Sequence, residues 1–183
     1  MRLTLHYRGI LRANGTPSHK HDLRRHFHEQ LATLWRQKPL AEQPELILPR
    51  VGNGYCLLRP LSGTVFVPLI SEEMNAVAEL EVSILRPEPP GGLLTQGGDI
   101  DNRLKTLFDS LTMPRHLNQL PPSAEQASDS PFFCLLEDDN LVTSVSVRTE
   151  QLLEPIEDKS VVDLRIRVRT RVTRETIGND SFA

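Results

Sequence analysis

Three features are scarce in this chain, and each scarcity excludes a class of protein. Only two cysteines occur, Cys56 and Cys134, and they form no CxxC pair, which excludes a zinc ribbon and indicates a reducing compartment. Apolar runs extend over only a few residues, far short of the roughly 20 that a membrane-spanning helix needs. The N-terminal segment lacks the apolar core and the small-residue cleavage site of a secretion signal. We therefore expect a cytoplasmic protein with no membrane segment.

The composition predicts one folded domain over residues 1–183. Hydrophobic residues make up 38% and charged residues 25% of the chain, as in ordinary globular proteins. The net charge of −3 leaves no overall basic footprint for a nucleic acid. Residues 1–60 carry 10 Lys+Arg against 4 Asp+Glu (+6), whereas residues 61–183 carry 11 against 20 (−9). This polarity fits an acidic, metal-binding half beside a basic half that meets phosphate, or only a chance patterning of solvated faces.

Apolar periodicity predicts the order strand, helix, strands, helix, strands. Alternation over residues 2–11 indicates a strand, and the spacing of Leu23, Phe27 and Leu31 indicates an amphipathic helix within residues 18–38. The other predicted elements are a hairpin within residues 55–69 that turns at Ser62-Gly63, a strand over 79–85, a helix over 104–111, and strands over 132–136, 141–147 and 162–173. We expect an α+β fold in which two main helices pack on one face of a mixed β-sheet.

Within that single domain we expect three parts. The core motifs lie in residues 79–173, and residues 1–78 form an N-terminal elaboration of strand, helix and hairpin. The composition of residues 113–131 predicts a long irregular loop, and loops of this length are usually functional or disordered. The tail over residues 175–183 is expected to fray.

Two aspartates separated by one residue, Asp99 and Asp101, precede the second predicted helix. In extended chain such side chains point the same way, and two converging carboxylates repel each other unless a cation or a proton lies between them. Mg²⁺ suits such a site because it takes one or two carboxylates and retains water. The alternative is that one aspartate only caps the helix, a role in which aspartate is favoured.

Lys105 and a later acidic run enlarge this candidate site. Helical spacing puts Asp101, Lys105 and Asp109 on one face, where the lysine can reach a phosphate oxygen; the alternative is an ordinary stripe of salt bridges. Glu137-Asp138-Asp139 lies between an apolar run and a predicted strand. Three adjacent acids repel each other, and a bound cation would relieve that repulsion. A solvated turn is the competing interpretation.

The segments Gly98–Leu111 and Glu137–Val142 carry the pattern D-x-D-N-x-x-K-x-x-x-D-x-L and, after a loop, D-D-x-x-V ahead of a strand. With this combination the chain resembles the RusA family of Holliday-junction resolvases. The resemblance covers about 45 residues. The chain departs from the family in a longer connection between the two motifs and in an N-terminal segment of roughly 78 residues.

The resemblance implies a Mg²⁺-dependent endodeoxyribonuclease, with Mn²⁺ as a substitute, that cuts branched DNA such as a four-way junction as a homodimer. The implied catalytic residues are Asp99, Asp101, Lys105 and Asp139, and the implied metal ligands are Asp99, Asp101 and Asp139, with Asp138 as an additional ligand. Glu137 is then a bystander. A nucleic-acid-binding module without catalysis and a structural domain whose acids are caps and turns remain as alternatives.

The last predicted strand carries an arginine at every second position from Arg165 to Arg171. Guanidinium groups in a row suit a phosphate backbone, and the candidate DNA contacts are Lys105, Arg165, Arg167 and Arg169. The alternative is that these arginines face neighbouring acids such as Glu150, Glu154 or Asp163, or that they keep an edge strand soluble.

Histidines cluster around the first predicted helix, at positions 19, 21, 26 and 28. They lack the HExxH arrangement of a zinc site. Together with Lys20, Arg24 and Arg25 they are expected to form a polar, basic face. We expect Trp35, the only tryptophan, to pack in the core.

Overall fold

The computed structural model describes residues 1–50, 52, 54–87, 100–122, 130–158, 160–176, 178–179 and 182, and within these ranges the chain forms two α-helices and two mixed β-sheets. The helices are α1 (Pro17–Trp35) and α2 (Ile100–Leu111). The strands are β1 (Arg2–Ile10), β2 (Arg59–Leu61), β3 (Thr64–Ile70), β4 (Ala76–Arg86), β5 (Phe132–Leu136), β6 (Val142–Gln151) and β7 (Val161–Val172). The fold class is α+β. No helix of the described chain is long and apolar enough to cross a membrane.

The strands form two sheets, where the sequence predicts one. The first has the order β1-β7-β4-β6, in which β7 is antiparallel to both neighbours and β6 is parallel to β4. The second has the order β2-β3-β5, with β3 antiparallel to β2 and parallel to β5. The chain passes from one sheet to the other between Ile70 and Ala76, through a turn in which Asn75 has φ 49°. Alternation defines the two faces of each strand, but it does not say which strands pair.

Helix α1 packs across both sheets. It begins where Thr16 caps it, the hydroxyl accepting a hydrogen bond from the backbone N–H of His19 at 3.3 Å, and Pro17 occupies the first helical position. Its buried face includes Leu23, Phe27 and Leu31, and it contacts β1, β5 and α2. The helix ends at Trp35, three residues before the predicted limit. Trp35 is buried as expected and stacks on Phe133 with 5.5 Å between ring centroids.

Helix α2 lies against the segment that leads into α1, at a close approach centred on Gly15. The backbone N–H of Gly15 donates to Oγ1 of Thr106 at 2.9 Å. A Cβ atom at Gly15 would lie 2.6 Å from Cγ2 of Thr106, so a larger residue would force the helix away. Leu107 and Leu111 are buried in the core. The opposite, polar face of α2 is therefore left at the surface.

The first sheet has one apolar and one polar face. Along β7, Leu164, Ile166 and Val168 are buried in a core that both sheets share, while Arg165 and Arg167 are exposed. This alternation agrees with the sequence pattern. It directs the arginines away from both helices.

Two described residues of the C-terminal tail are buried, although the sequence predicts that this tail frays. Asn179 and Phe182 are fully buried. The Asn179 amide donates to the carbonyl of Met74 at 2.8 Å, and the carbonyl of Phe182 accepts from the hydroxyl of Thr170 at 2.7 Å. One buried aromatic ring and these hydrogen bonds tie the tail to the first sheet, because they offset the entropy that a free end would retain.

Candidate active site around helix α2

The first turn of α2 presents two of the predicted catalytic side chains to solvent. Asp101 lies inside the helix, so it is not the helix cap, and Lys105 follows one turn later. Both side chains are exposed, and within the described residues neither makes a hydrogen bond or an ion pair. Asp99 lies outside the described residues. Residues four apart on a helix have Cβ atoms about 5–6 Å apart, so Lys105 can contact a phosphate that is bound to a cation at the carboxylate of Asp101.

The third polar residue on this face, Asp109, is committed to the neighbouring helix. Its carboxylate lies 2.7 Å from Nζ of Lys20 on α1. The salt-bridge stripe along α2, which was the alternative for Lys105, therefore does not form. The lysine of the motif is left without an acidic partner in the described chain.

Buried Arg24 closes the C-terminal end of α2. Its Nε donates to the carbonyl of Thr112 at 3.0 Å and its Nη2 to the carbonyl of Asp109 at 2.7 Å. The last carbonyls of a helix lack partners within the helix, so these bonds satisfy groups that would otherwise be left unpaired. The side chain is only 3% exposed, and burial lowers the pKa of its guanidinium because the charged form loses hydration. The expected basic face of α1 thus does not include Arg24.

An arginine balances the first acid of the turn that follows β5. Oε1 of Glu137 accepts from Nε of Arg59 at 2.6 Å, and Oε2 accepts from the backbone N–H of Glu72 at 3.1 Å. Arg59 also donates to Glu73 at 3.2 Å. The two carboxylates, Glu137 and Glu73, outweigh the effect of desolvation and raise the pKa of the Arg59 guanidinium. Glu137 is a structural ion-pair residue, which fits its expected place outside the site.

The other two acids of the turn differ from each other. Asp138 is buried; one oxygen accepts from the backbone N–H of Asn140 at 2.9 Å, and the other pairs with the guanidinium of Arg115. Asp139 is exposed, and its carboxylate has no partner in the part of the chain that the structure describes. The repulsion between adjacent acids is thus relieved by arginines, and only Asp139 keeps a free carboxylate.

A cavity of about 350 Å³, here called the α2-end cavity, lies between the start of α1, the end of α2 and the acidic turn. Its charged and imidazole lining comprises Lys20, Arg24, Arg115 and His116, with Asp109, Asp138 and Asp139. Gln119 closes the adjacent loop, because its Oε1 accepts from the backbone N–H groups of Arg115 and His116 at 2.6 and 3.2 Å.

The α2-end cavity is separate from the free end of α2. Neither Asp101 nor Lys105 lines it. A helix rises 1.5 Å per residue, so the Cα atom of Asp101 lies about 12 Å along the axis from that of Asp109. No single ion can be bound by both of these carboxylates.

The residue types fit Mg²⁺, although the described residues do not include a complete set of ligands. Within the described ranges there is no group of three or more His, Cys, Asp or Glu side chains that could hold a metal ion. Asp101 and Asp139 keep carboxylates that can ligate a cation, since Mg²⁺ is often bound through one or two carboxylates and water. Asp138 can serve as an additional ligand only if its ion pair with Arg115 opens.

The arginine row on β7 faces acids on the adjacent strand. Arg167 lies 3.6 Å from Glu81, and Arg169 and Arg171 lie 3.6 and 3.0 Å from Glu79, all on the exposed face of the sheet. Arg165 lies 3.6 Å from Asp163. The alternative interpretation as an ion-pair surface therefore fits, with β4 supplying most of the acids. The suggestion of an edge strand is wrong, because β7 lies between β1 and β4.

Several histidines of α1 bind the main chain rather than form one polar face. Nδ1 of His28 accepts from the backbone N–H of Phe133 at 2.8 Å, and Nε2 of His19 accepts from the backbone N–H of Arg12 at 3.2 Å. Nε2 of His26 lies 3.0 Å from the carbonyl of His6. These contacts join α1 to the strands and to the loop beside it.

Comparison with known proteins adds no relative: no protein-family model matches the chain, and neither a curated protein nor a solved structure matches it. The resemblance to RusA resolvases therefore rests on the two motifs. Sequence reasoning missed the α2-end cavity, since Arg24 and Lys20 were assigned to a basic surface and Arg115 to an irregular loop. The four-residue spacing of Lys20 and Arg24 was the only sequence signal that they act together.

Proposed function

We propose that this protein is a metal-dependent endonuclease that hydrolyses phosphodiester bonds in branched DNA, in the manner implied by its resemblance to RusA resolvases. The observation that supports the proposal is a difference between two sets of charged side chains. Asp101, Lys105 and Asp139 are exposed and have no partner among the described residues. Asp109, Glu137 and Asp138 form ion pairs with cationic side chains. Side chains kept free while their neighbours are neutralised are the ones available to a substrate or an ion.

Each proposed catalytic residue has a chemical role. Asp101 and Asp139, with Asp99 from the motif, would hold Mg²⁺ or Mn²⁺. A bound divalent ion lowers the pKa of its water and offsets charge on a phosphate. Lys105 neutralises a non-bridging oxygen or the leaving oxygen of the phosphate, because its ammonium is unpaired and flexible.

The substrate and assembly follow from the resemblance. A four-way junction has two opposed strands to nick, and a homodimer supplies one site for each. Arg165, Arg167 and Arg169 are weaker candidates for DNA contact, because each lies near a carboxylate. Exposed ion pairs contribute little stability, however, so a phosphate can replace a carboxylate at small cost.

A second candidate function is nucleic-acid binding without catalysis. It is favoured by the arginines that neutralise Glu137 and Asp138, because these acids are then not needed for a metal ion. In this case Asp101 and Asp139 are ordinary solvated acids, and the arginine face of the first sheet is the binding surface.

Cleavage assays on a panel of DNAs separate the two functions. The panel contains a four-way junction, a flap, a fork and a linear duplex, each with Mg²⁺ or Mn²⁺, and DNA binding is measured in parallel. We expect cleavage of branched DNA by the native protein and a loss of about 10²–10³-fold in rate for Asp101→Asn, with binding retained. Asp22→Asn, which removes an exposed acid of α1, is the matched control and should cleave normally. Equal rates for Asp101→Asn and the native protein would sink the proposal.

A further inference from the structure

The α2-end cavity contains a buried positive charge that no carboxylate contacts within the described residues. The two hydrogen bonds of Arg24 go to main-chain carbonyls, and Nη1 has no hydrogen-bond partner. A buried cation without a paired anion is costly, and proteins normally compensate it with an anion or with further hydrogen bonds. The cavity beside Arg24 is where such an anion can bind.

Burial lowers the pKa of Arg24, and among the acids of the cavity the charge of Asp109 opposes this shift, but no carboxylate of the cavity contacts the guanidinium directly, and other cations hold the carboxylates of Asp109 and Asp138. Lys20 binds Asp109, and Arg115 binds Asp138. An ammonium has three N–H donors and a guanidinium has five, so each of these cations can keep its carboxylate and still bind a second anion. The tight loop closed by Gln119 holds Arg115 at the cavity wall.

We propose that the α2-end cavity binds a phosphate group of a nucleic-acid strand, held by Lys20 and Arg115 and attracted by the charge of Arg24. Phosphate suits this lining because its several oxygens accept from an ammonium and a guanidinium at once. Asp139 also lines the cavity and opposes an anion, so the affinity of a single phosphate is low. A strand that also occupies the free end of α2 gains from both contacts.

The identity of the strand rests on the proposed function. The cavity lies about 12 Å along α2 from Asp101. A strand of a duplex that runs along α2 advances about 3.4 Å per nucleotide, so the phosphate in the cavity is about three or four nucleotides from the level of Asp101 and about two from that of Lys105. Asp139 also lines the cavity, so this phosphate would be bound next to one of the proposed metal ligands.

Two substitutions with opposite expected signs test the cavity. Lys20→Gln removes an ammonium group that donates hydrogen bonds to phosphate, and we expect about tenfold weaker binding of a short single-stranded oligothymidylate. Asp109→Asn removes the carboxylate that competes for Lys20, and we expect tighter binding. Arg36→Gln is the control, because it removes one exposed positive charge at the far end of α1. Arg24→Met tests the contribution of the buried charge to phosphate binding. If this variant does not fold, Lys20→Gln and Asp109→Asn still test whether the cavity binds phosphate.

Inorganic phosphate provides a second measurement. At equal ionic strength, sodium phosphate should raise the melting temperature of the native protein above its value in sodium chloride, since a ligand of the folded state stabilises it. The rise should shrink in Lys20→Gln and grow in Asp109→Asn. Oligonucleotide binding that changes equally in Lys20→Gln and Arg36→Gln, or that falls in Asp109→Asn, overturns the proposal.

These results are independent of the fate of the proposed function. If the native protein cuts no DNA but the phosphate effects follow the expected signs, the cavity proposal stands and the endonuclease proposal fails. If the protein cuts DNA but Lys20→Gln and Asp109→Asn bind the oligonucleotide like the native protein, only the cavity proposal fails.

Discussion

Charged side chains at the two ends of helix α2 differ in whether they form ion pairs. At the start of the helix, Asp101 and Lys105 are exposed and have no partner in the described chain. At its end, Asp109 is paired with Lys20, and the nearby Asp138 is paired with Arg115. Asp109 and Asp138 at the end of α2 contribute to the fold, whereas Asp101 and Lys105 at its start make no contact of this kind in the described chain. A charged side chain that the fold does not use is the better candidate for function.

The acidic turn Glu137–Asp139 is balanced by arginines rather than by a bound cation. Repulsion among three consecutive acids suggested a bound cation, but Arg59 and Arg115 supply positive charge from distant parts of the chain. Adjacent carboxylates therefore do not require a metal when arginines can reach them. The case for a metal now depends on Asp101 and Asp139, together with Asp99 of the motif.

The largest expected effect is at the start of α2. Lys105→Met should lower the rate of DNA cleavage about 10²-fold, because one cation that stabilises the transition state is lost. Stability should change by less than about 0.5 kcal/mol, since the side chain is exposed and unpaired. Single-turnover cleavage and thermal melting measure the two quantities.

Lys38→Met is the matched control for Lys105. Its side chain is 80% exposed and lies beyond the end of α1, paired with Glu42. It should change neither rate nor stability. If Lys105→Met cleaves as fast as Lys38→Met, Lys105 has no catalytic role. The absence of a partner at the start of α2 would then not indicate a functional site.

An intermediate effect, on stability rather than activity, is expected at the acidic turn. Arg59→Gln should reduce the free energy of unfolding by about 1–3 kcal/mol, because Glu137 loses its ion-pair partner and the partly buried Glu73 keeps only Arg50. Urea denaturation measures this loss against Arg36→Gln. Cleavage by the folded fraction should be unchanged. A variant that stays stable but stops cutting DNA would place Glu137 in the active site, contrary to its assignment here.

The smallest effect concerns the loop that supports the start of α2. Burial, aided by the charge of Arg12, lowers the pKa of His19 below its usual 6.5, and Nε2 accepts a backbone N–H, which requires the neutral ring. The unfolded chain then binds more protons than the folded one below about pH 6.5, so stability falls as the pH drops through this range.

His19→Gln tests this pH dependence. The variant should lose part of the decline in melting temperature that the native protein shows between pH 7 and pH 5, whereas the exposed-surface variant Arg36→Gln should keep this decline. If the melting temperature of His19→Gln depends on pH as that of the native protein does, protonation of His19 does not change the stability of the fold.

Local structure was largely predictable because it depends on neighbouring residues. The hairpin turn at Ser62-Gly63 has φ values of 50° and 78°, and strand β5 has the predicted bounds. The α+β class followed from the same periodicities. The division into two sheets was not predictable, since strand pairing joins residues far apart in sequence. The burial of Phe182 was missed for the same reason.

The sequence alone determined the strands and helices, the face that each presents, and the spacing that puts Asp101 and Lys105 on one turn of α2. These features depend on backbone geometry over a few residues. Only the tertiary structure decided which charged side chains form the ion pairs and hydrogen bonds that stabilise the fold. Ion pairs such as Arg59 with Glu137 and Lys20 with Asp109 join residues more than 70 positions apart, and the burial of Arg24 follows from the packing of α1 against α2. Those long-range contacts, rather than the motifs, separate the acids that stabilise the fold from the acids left free to act.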